Sequence, residues 1–162
     1  MVNMRVLGLD VGERRIGVAI SDVSAMLARP WRTVVRDRSV GEVVIALATE
    51  IRSLEQEEDG LTGIVIGLPR RLDGSAHEQT DRVLAFADAL RAQTSLPITL
   101  QDERLTSREA ERRLALREPD WRKRKARLDA AAAAVMLQDY LDQRLESRGQ
   151  SPEAGDQESV VA

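Results

Sequence analysis

The chain of 162 residues has no cysteine, one histidine and almost no aromatic side chains, with two Trp, one Tyr and one Phe. Without cysteine it can form no disulfide, no zinc–thiolate site and no thiol nucleophile. With His77 as its only histidine, a multi-histidine metal site is excluded and a Ser-His-Asp triad is disfavoured. The scarcity of aromatics leaves Val, Leu, Ile and Ala to build the core, and 43% apolar residues are enough for one. No apolar run approaches the roughly 18 residues of a membrane helix, and no signal-peptide pattern precedes the first apolar segment. The expected setting is cytoplasmic, with no membrane partner. The length fits one domain, read as 1–146, followed by a disordered acidic tail over 147–162.

The net charge of −3 conceals two opposed stretches. Glu146 to Ala162 holds one Arg against three Glu and one Asp, whereas Arg104 to Arg127 holds ten Lys/Arg against four acids. A body that is otherwise neutral, with one strongly basic stretch, points to a local face for a polyanion.

Along the chain, Met4 to Asp10 reads as a buried strand, Val11 to Arg14 as a tight turn and Arg15 to Ser21 as the returning strand of a hairpin. Arg29 to Arg36 is a third strand. Ser39 and Glu42 have the spacing of a capping box, and Val40, Val43, Val44, Leu47, Ile51 and Leu54 follow at helical intervals. Leu61 to Leu68 is a continuous apolar run, as in a central strand covered on both faces. Ser75 with Glu78 opens a second helix, and Pro97 to Gln101 is a short strand. Thr106 with Glu109 opens a third helix. Glu118 to Arg124 reads as a charged loop, and Lys125 to about Leu145 as a long, alanine-rich helix. Five strands in this order predict an α/β fold, a central mixed five-stranded sheet with helices on both faces. That is the three-layer order of ribonuclease H-like domains.

Three carboxylates stand where such a sheet collects ligands. Asp10 closes the first strand, Glu103 follows the last, and Asp129 sits in the first turn of the long helix. Together they could not all stay ionised without a counter-charge. A hard divalent cation with oxygen ligands removes the conflict and suits phosphodiester hydrolysis, which then needs no protein nucleophile. Each acid also has a plainer reading, as a turn residue, a solvated strand end or a helix-dipole partner. Arg14 on the hairpin turn, Arg70 and Arg71 after the central strand, and Ser75 at a helix start with free N–H groups are candidate phosphate contacts. So is the run Arg122-Lys123-Arg124-Lys125, with Arg127, just ahead of Asp129. Each of these could equally be a solvated surface residue.

Four blocks in order resemble the YqgF/RuvX family: Leu9-Asp10-Val11-Gly12 through Ser21-Asp22, Gly67-Leu68-Pro69 through Ser75, Asp102-Glu103-Arg104-Leu105-Thr106-Ser107, and Lys125 through Asp129-Ala130-Ala131. The resemblance covers about Met4 to Leu145. It implies a nuclease of the ribonuclease H superfamily with Asp10, Glu103 and Asp129 as ligands of Mg²⁺ or Mn²⁺, and with Arg104 among the substrate contacts. It further implies endonucleolytic 5′-end processing of pre-16S rRNA in ribosome biogenesis, with structured RNA and ribosomal precursor particles as partners. The alternative within the family is resolution of four-way DNA junctions, and the assembly expected is a monomer or weak homodimer. Two other classes stay open. One is an ATP-handling protein, because Asp10-Val11-Gly12 before a hairpin also resembles the phosphate loop of sugar kinases and actin. The other is a non-catalytic nucleic-acid-binding module.

Overall fold

The computed structural model describes residues 4–69, 78–102 and 120–161. Its first two strands, β1 (Arg5–Val11) and β2 (Arg15–Ser21), form an antiparallel hairpin. The hairpin is closed by a hydrogen bond of 2.8 Å from the Gly12 amide to the Arg15 carbonyl, which leaves Glu13 and Arg14 as the exposed loop. The third strand, β3 (Ala28–Val35), pairs antiparallel with β2 and lies at one edge. Helix α1 (Val40–Gln56) then leads to β4 (Leu61–Leu68), and α2 (Glu78–Arg91) to β5 (Ile98–Asp102). Both of these strands run parallel to β1, giving the sheet order β3-β2-β1-β4-β5. The last helix is α3 (Trp121–Val161).

Local chemistry explains where several of these elements begin. The Ser39 hydroxyl accepts the Glu42 amide at 3.3 Å and caps α1, as the sequence spacing predicts. At the far end of α1, Arg5 donates to Glu57 and to the Gly60 carbonyl, tying the start of β1 to the α1–β4 connection. Gly60 takes a φ of +60° there, a conformation glycine adopts without steric cost. The β2–β3 link turns on Asp22. Its carboxylate accepts the Met26 and Leu27 amides at 3.0 and 3.1 Å and the Ser24 hydroxyl at 2.5 Å.

Strand alternation sorts the core into two layers. Leu7, Leu9, Val11, Ile16, Val18, Ile20, Ile64 and Ile66 face α1 and α2, where Leu47, Ile51, Val83, Phe86 and Leu90 complete the larger cluster. Val6, Ala19 and Val65 face α3, against Ala133, Met136, Leu137 and Leu141. Each such fully buried Leu, Ile or Phe contributes about 1.5–3 kcal/mol by leaving water. The opposite layer has fewer buried side chains, and alanines make up much of it. A Cβ at Gly8 would come 3.0 Å from the Leu137 Cβ, so the helix rides close to the sheet.

The three-layer, five-stranded α/β expectation is met, and strand boundaries differ from the sequence reading by one residue at most ends. One connection differs. The stretch Trp121 to Arg124, read as part of a charged loop, is already helical. Asp120, a residue type favoured before a helix start, stands immediately ahead of it. The basic run therefore occupies the first turns of α3. The same helix continues to Val161, through the stretch for which the sequence predicts a disordered tail. Its last buried side chain among the described residues is Leu141. The first turn of the second helix, the helix expected from Thr106 and the loop to Pro119 lie outside the described residues. Among the described residues no helix is long and apolar enough to cross a membrane.

Candidate active site

Asp10 is the last but one residue of β1, and its pairing partner across the hairpin is Gly17. Residues directly opposite one another in an antiparallel pair point to the same face. Alternation puts that face on the α3 side, because Leu9 and Val11 on either side of Asp10 belong to the α1/α2 layer. Gly17 shows what lies above it. A Cβ built there would fall 1.8 Å from the Asp129 carbonyl oxygen and 3.0 Å from the Ala130 amide nitrogen. The α3 backbone thus crosses β2 at Gly17, in a contact no larger residue permits. One glycine brings the turn of α3 that carries Asp129 over the strand position opposite Asp10.

Arg15, on the same face of β2 as Gly17, closes the arrangement from the hairpin tip. Its Nε lies 3.2 Å from Asp129 Oδ2. Both side chains are roughly half-buried, and Oδ2 itself is shut off from solvent. In water such a pair is worth about 0–1 kcal/mol, so its value is orientation: it fixes the Asp129 carboxylate on the sheet side of the helix. The tip is held in turn by two side chains from elsewhere in the chain. Arg36 Nη1 donates to the Gly12 carbonyl at 2.7 Å, and Gln79 Nε2 donates to the Val11 carbonyl at 3.2 Å. Arg36 also lies 5.7 Å from the centre of the Phe86 ring, which anchors it to the core.

The parallel strands extend the row. Leu9 pairs with Ile66 and Gly67 with Gln101, so the carboxyl ends of β1, β4 and β5 open side by side on the edge that holds Asp10. Of the three expected acids, Asp10 lies opposite Gly17 and Asp129 on the turn of α3 that crosses Gly17; Glu103 lies outside the described residues. Among the described residues no group of three His, Cys, Asp or Glu forms a metal cluster. The described residues hold no His or Cys, so the candidate donors there are the Asp10 and Asp129 carboxylates. That chemistry fits a hard, oxygen-seeking divalent cation.

The remaining sequence candidates are distributed unevenly. Arg14 is exposed at the hairpin tip. Lys123, Arg124 and Lys125 fall in the first turns of α3. Arg70, Arg71, Ser75 and Arg104 lie outside the described residues. Sequence reasoning missed Arg15, Arg36 and Gln79. A signal for the first was available: a hairpin with a two-residue loop at Glu13-Arg14 fixes Gly17 opposite Asp10 and gives Arg15 the same parity. The other two act through backbone carbonyls, which leave no pattern in the side-chain sequence.

Comparison with known proteins identifies the family and the fold. A family model described as "RuvX: Holliday junction resolvase" matches residues 4–143. A protein of Chloroflexus aurantiacus named "Putative pre-16S rRNA nuclease" is 40% identical over 151 residues, covering 91% of this chain and 93% of that one. A protein of the same name from Caldanaerobacter subterraneus is 41% identical over 145 residues, covering 89% of this chain and 100% of that one. Among solved structures, RuvC of T. thermophilus in complex with a Holliday junction substrate superposes with a TM-score of 0.50 at 14% identity, over 88% of this chain and 96% of RuvC. At that identity the likeness speaks for the fold alone. The chain belongs to the RuvX family of nucleases, built on a ribonuclease H-like scaffold.

Proposed function

We propose that this chain is a divalent-metal-dependent endonuclease that trims the 5′ end of pre-16S rRNA, with Asp10, Glu103 and Asp129 as metal ligands. The observation that carries the reading is the crossing of α3 over Gly17, which puts the Asp129 turn above the partner position of Asp10. Glu103 has the same parity in the sequence as Thr99 and Gln101, two residues of β5 on the α3 side of the sheet, and is the third ligand in this proposal. When bound, Mg²⁺ or Mn²⁺ supplies activation of a water and neutralisation of the phosphodiester charge. The protein's own contribution is positional. The carboxylates hold the cation, Arg15 orients Asp129, and Arg36 with Gln79 fixes the hairpin tip beside which the scissile phosphate lies.

Arg14, Arg70, Arg71, Ser75, Arg104, Lys123, Arg124 and Lys125 are the proposed contacts to the nucleic-acid backbone. The first turn of α3 carries no acid, so its basic run adds to the positive end of the helix dipole. The relatives' names favour RNA, and the setting proposed is cytoplasmic, on ribosomal precursor particles, by a monomer or weak homodimer. The acting unit is 1–146, with 147–162 as an appended acidic segment. A second reading, cleavage of four-way DNA junctions, has the family description in its favour.

Cleavage of a 5′-extended 16S precursor and of a four-way junction, measured in parallel with Mg²⁺ or Mn²⁺, separates the two. Asp10→Asn and Asp129→Asn should each lower the rate on the true substrate by on the order of 10²–10³-fold, the equivalent of several kcal/mol of transition-state stabilisation. Wild-type rates in either variant would sink the metal-site reading.

A further inference from the structure

We infer that the groove between β3 and α3 binds an unpaired nucleotide of an RNA substrate, across α3 from the bond that is cut. The inference rests on the nuclease reading above and names the substrate feature recognised.

The groove has a volume of about 540 Å³ and is walled by Pro30, Trp31 and Thr33 of β3 and by Arg127, Ala130 and Ala131 of α3. Its walls are largely apolar and flat: an indole, a proline ring and two alanine methyls. Those surfaces suit the π-face of a base, and stacking on an aromatic side chain accepts any base. Trp31 keeps 36% of its surface exposed although it is one of only two tryptophans in the chain. The Arg32 guanidinium lies 5.8 Å from the centre of the Trp31 ring and is itself paired with Glu50 of α1. The indole is thus set in position before any ligand arrives. Arg127, which lines the groove, is cationic and complements a phosphate, whereas the charge of Arg32 is met by Glu50.

Position decides the occupant. Thr33 pairs with Gly17, and Gly17 with Asp10, so the groove lies two strand spacings from the catalytic acid, or roughly 10 Å. Arg127 precedes Asp129 by two residues on the same helix. At the other end, Gln138 of α3 accepts the Ala28 amide at 2.9 Å and donates to the Met26 carbonyl at 2.8 Å, closing the groove where β3 begins. Because α3 crosses the sheet on Gly17, between Asp10 and the groove, a strand whose cleaved phosphate sits at Asp10 reaches the groove by passing over that helix, with a nucleotide a few positions from the cut. To lie against the indole, that nucleotide's base must be out of the stack. Single-stranded segments of RNA offer such bases, whereas a fully paired four-way junction does not.

The test is binding of the full-length protein in EDTA, followed by fluorescence anisotropy, to an RNA duplex with a single-stranded extension, the same duplex with blunt ends, and a DNA four-way junction. Wild type should prefer the extended RNA. Trp31→Ala should weaken that complex by about 5- to 150-fold while leaving blunt-duplex affinity and the melting temperature unchanged. Trp31→Phe should retain most of the preference. Arg127→Gln should reduce the salt dependence of extended-RNA binding by the equivalent of about one phosphate contact. The inference is overturned if wild type binds the blunt duplex or the junction as tightly as the extended RNA. Equal losses for Trp31→Ala and Trp31→Phe on every probe, or an unchanged preference in Trp31→Ala, overturn it too. Since the binding is read without metal, failure of the nuclease reading shows separately, as unaltered cleavage by Asp10→Asn.

Discussion

Replacing Gly17 by alanine tests the junction of fold and site with a single methyl group. The added Cβ would stand 1.8 Å from the Asp129 carbonyl oxygen, whereas ordinary contact begins at 3.4 Å. The neighbouring atom is backbone, in a helix packed along the sheet by Ala133, Met136, Leu137 and Leu141, so no side chain can swing aside. Either α3 retreats by about 1.6 Å at this point or β2 buckles away from it. Overpacking of this kind costs about 1–3 kcal/mol, and a clash with backbone belongs at the upper end. For a chain of this size that is a fall in melting temperature of roughly 2–12 °C. The catalytic penalty should be larger in proportion, because a misplacement on the order of 1 Å costs about 10²-fold in rate. Calorimetry and single-turnover cleavage at saturating Mn²⁺ measure the two effects independently. Gly8→Ala is the matched control: it meets only the Leu137 side chain at 3.0 Å and should lose stability with a much smaller loss of rate. If Gly17→Ala melts early but cleaves at the wild-type rate, the place of Asp129 in the mechanism is refuted. If it melts as wild type does, α3 does not ride on Gly17 and the geometry is wrong.

Two further outcomes follow from the hydrogen bonds around the strands. The Ser24 hydroxyl bonded to Asp22, together with the Leu27 and Met26 amides, holds the Asp22 carboxyl below its ordinary value of 3.8. A carboxyl depressed in the folded state contributes stability above its unfolded pKa and loses it as the pH falls through the folded one. Asp22→Asn should therefore be less stable than wild type in urea titrations at neutral pH, with the gap closing only below pH 3.8; a constant gap down to acid would argue that the bonds do not depend on charge. Arg36→Met removes the donor to the Gly12 carbonyl while keeping an apolar stem over Phe86. It should cost about 1–3 kcal/mol and speed amide exchange at the hairpin tip, and an unaltered exchange rate there would show that Arg36 does not hold it.

Much of this architecture was legible in residue order. The unbroken apolar run Leu61 to Leu68 marked a strand covered on both faces, and the Ser39–Glu42 spacing marked the start of α1. Asp10 and Asp129 drew attention only jointly, since each alone also reads as a turn residue or a helix-dipole partner; with α3 starting at Trp121, Asp129 lies beyond the first turn in which the sequence places it. What brings them together was harder to see. Gly17 reads in sequence as an interruption of an apolar strand, and only the packing of α3 shows it to be a crossing point. The start of α3 was misplaced because a run of four basic residues resembles a solvated loop, and charge alone carries no periodicity. Trp31 escaped notice for a related reason. On an edge strand whose residues are mostly exposed, one aromatic has no pattern to stand out from until α3 forms the other wall of its groove.

The placing of α3 has a consequence in time. The strand that carries Asp10 and the turn of α3 that lies on Gly17 are far apart in sequence, and α3 fills the layer above them. Contacts of such wide sequence separation form late, after the loops they close have been ordered. A nascent chain can pair β1 with β2 and pack α1 and α2 beneath the sheet while its upper face is still bare. Such an intermediate would hold Asp10 in place with no Asp129 above it. On the nuclease reading proposed above, the site is complete only once α3 has packed on the sheet.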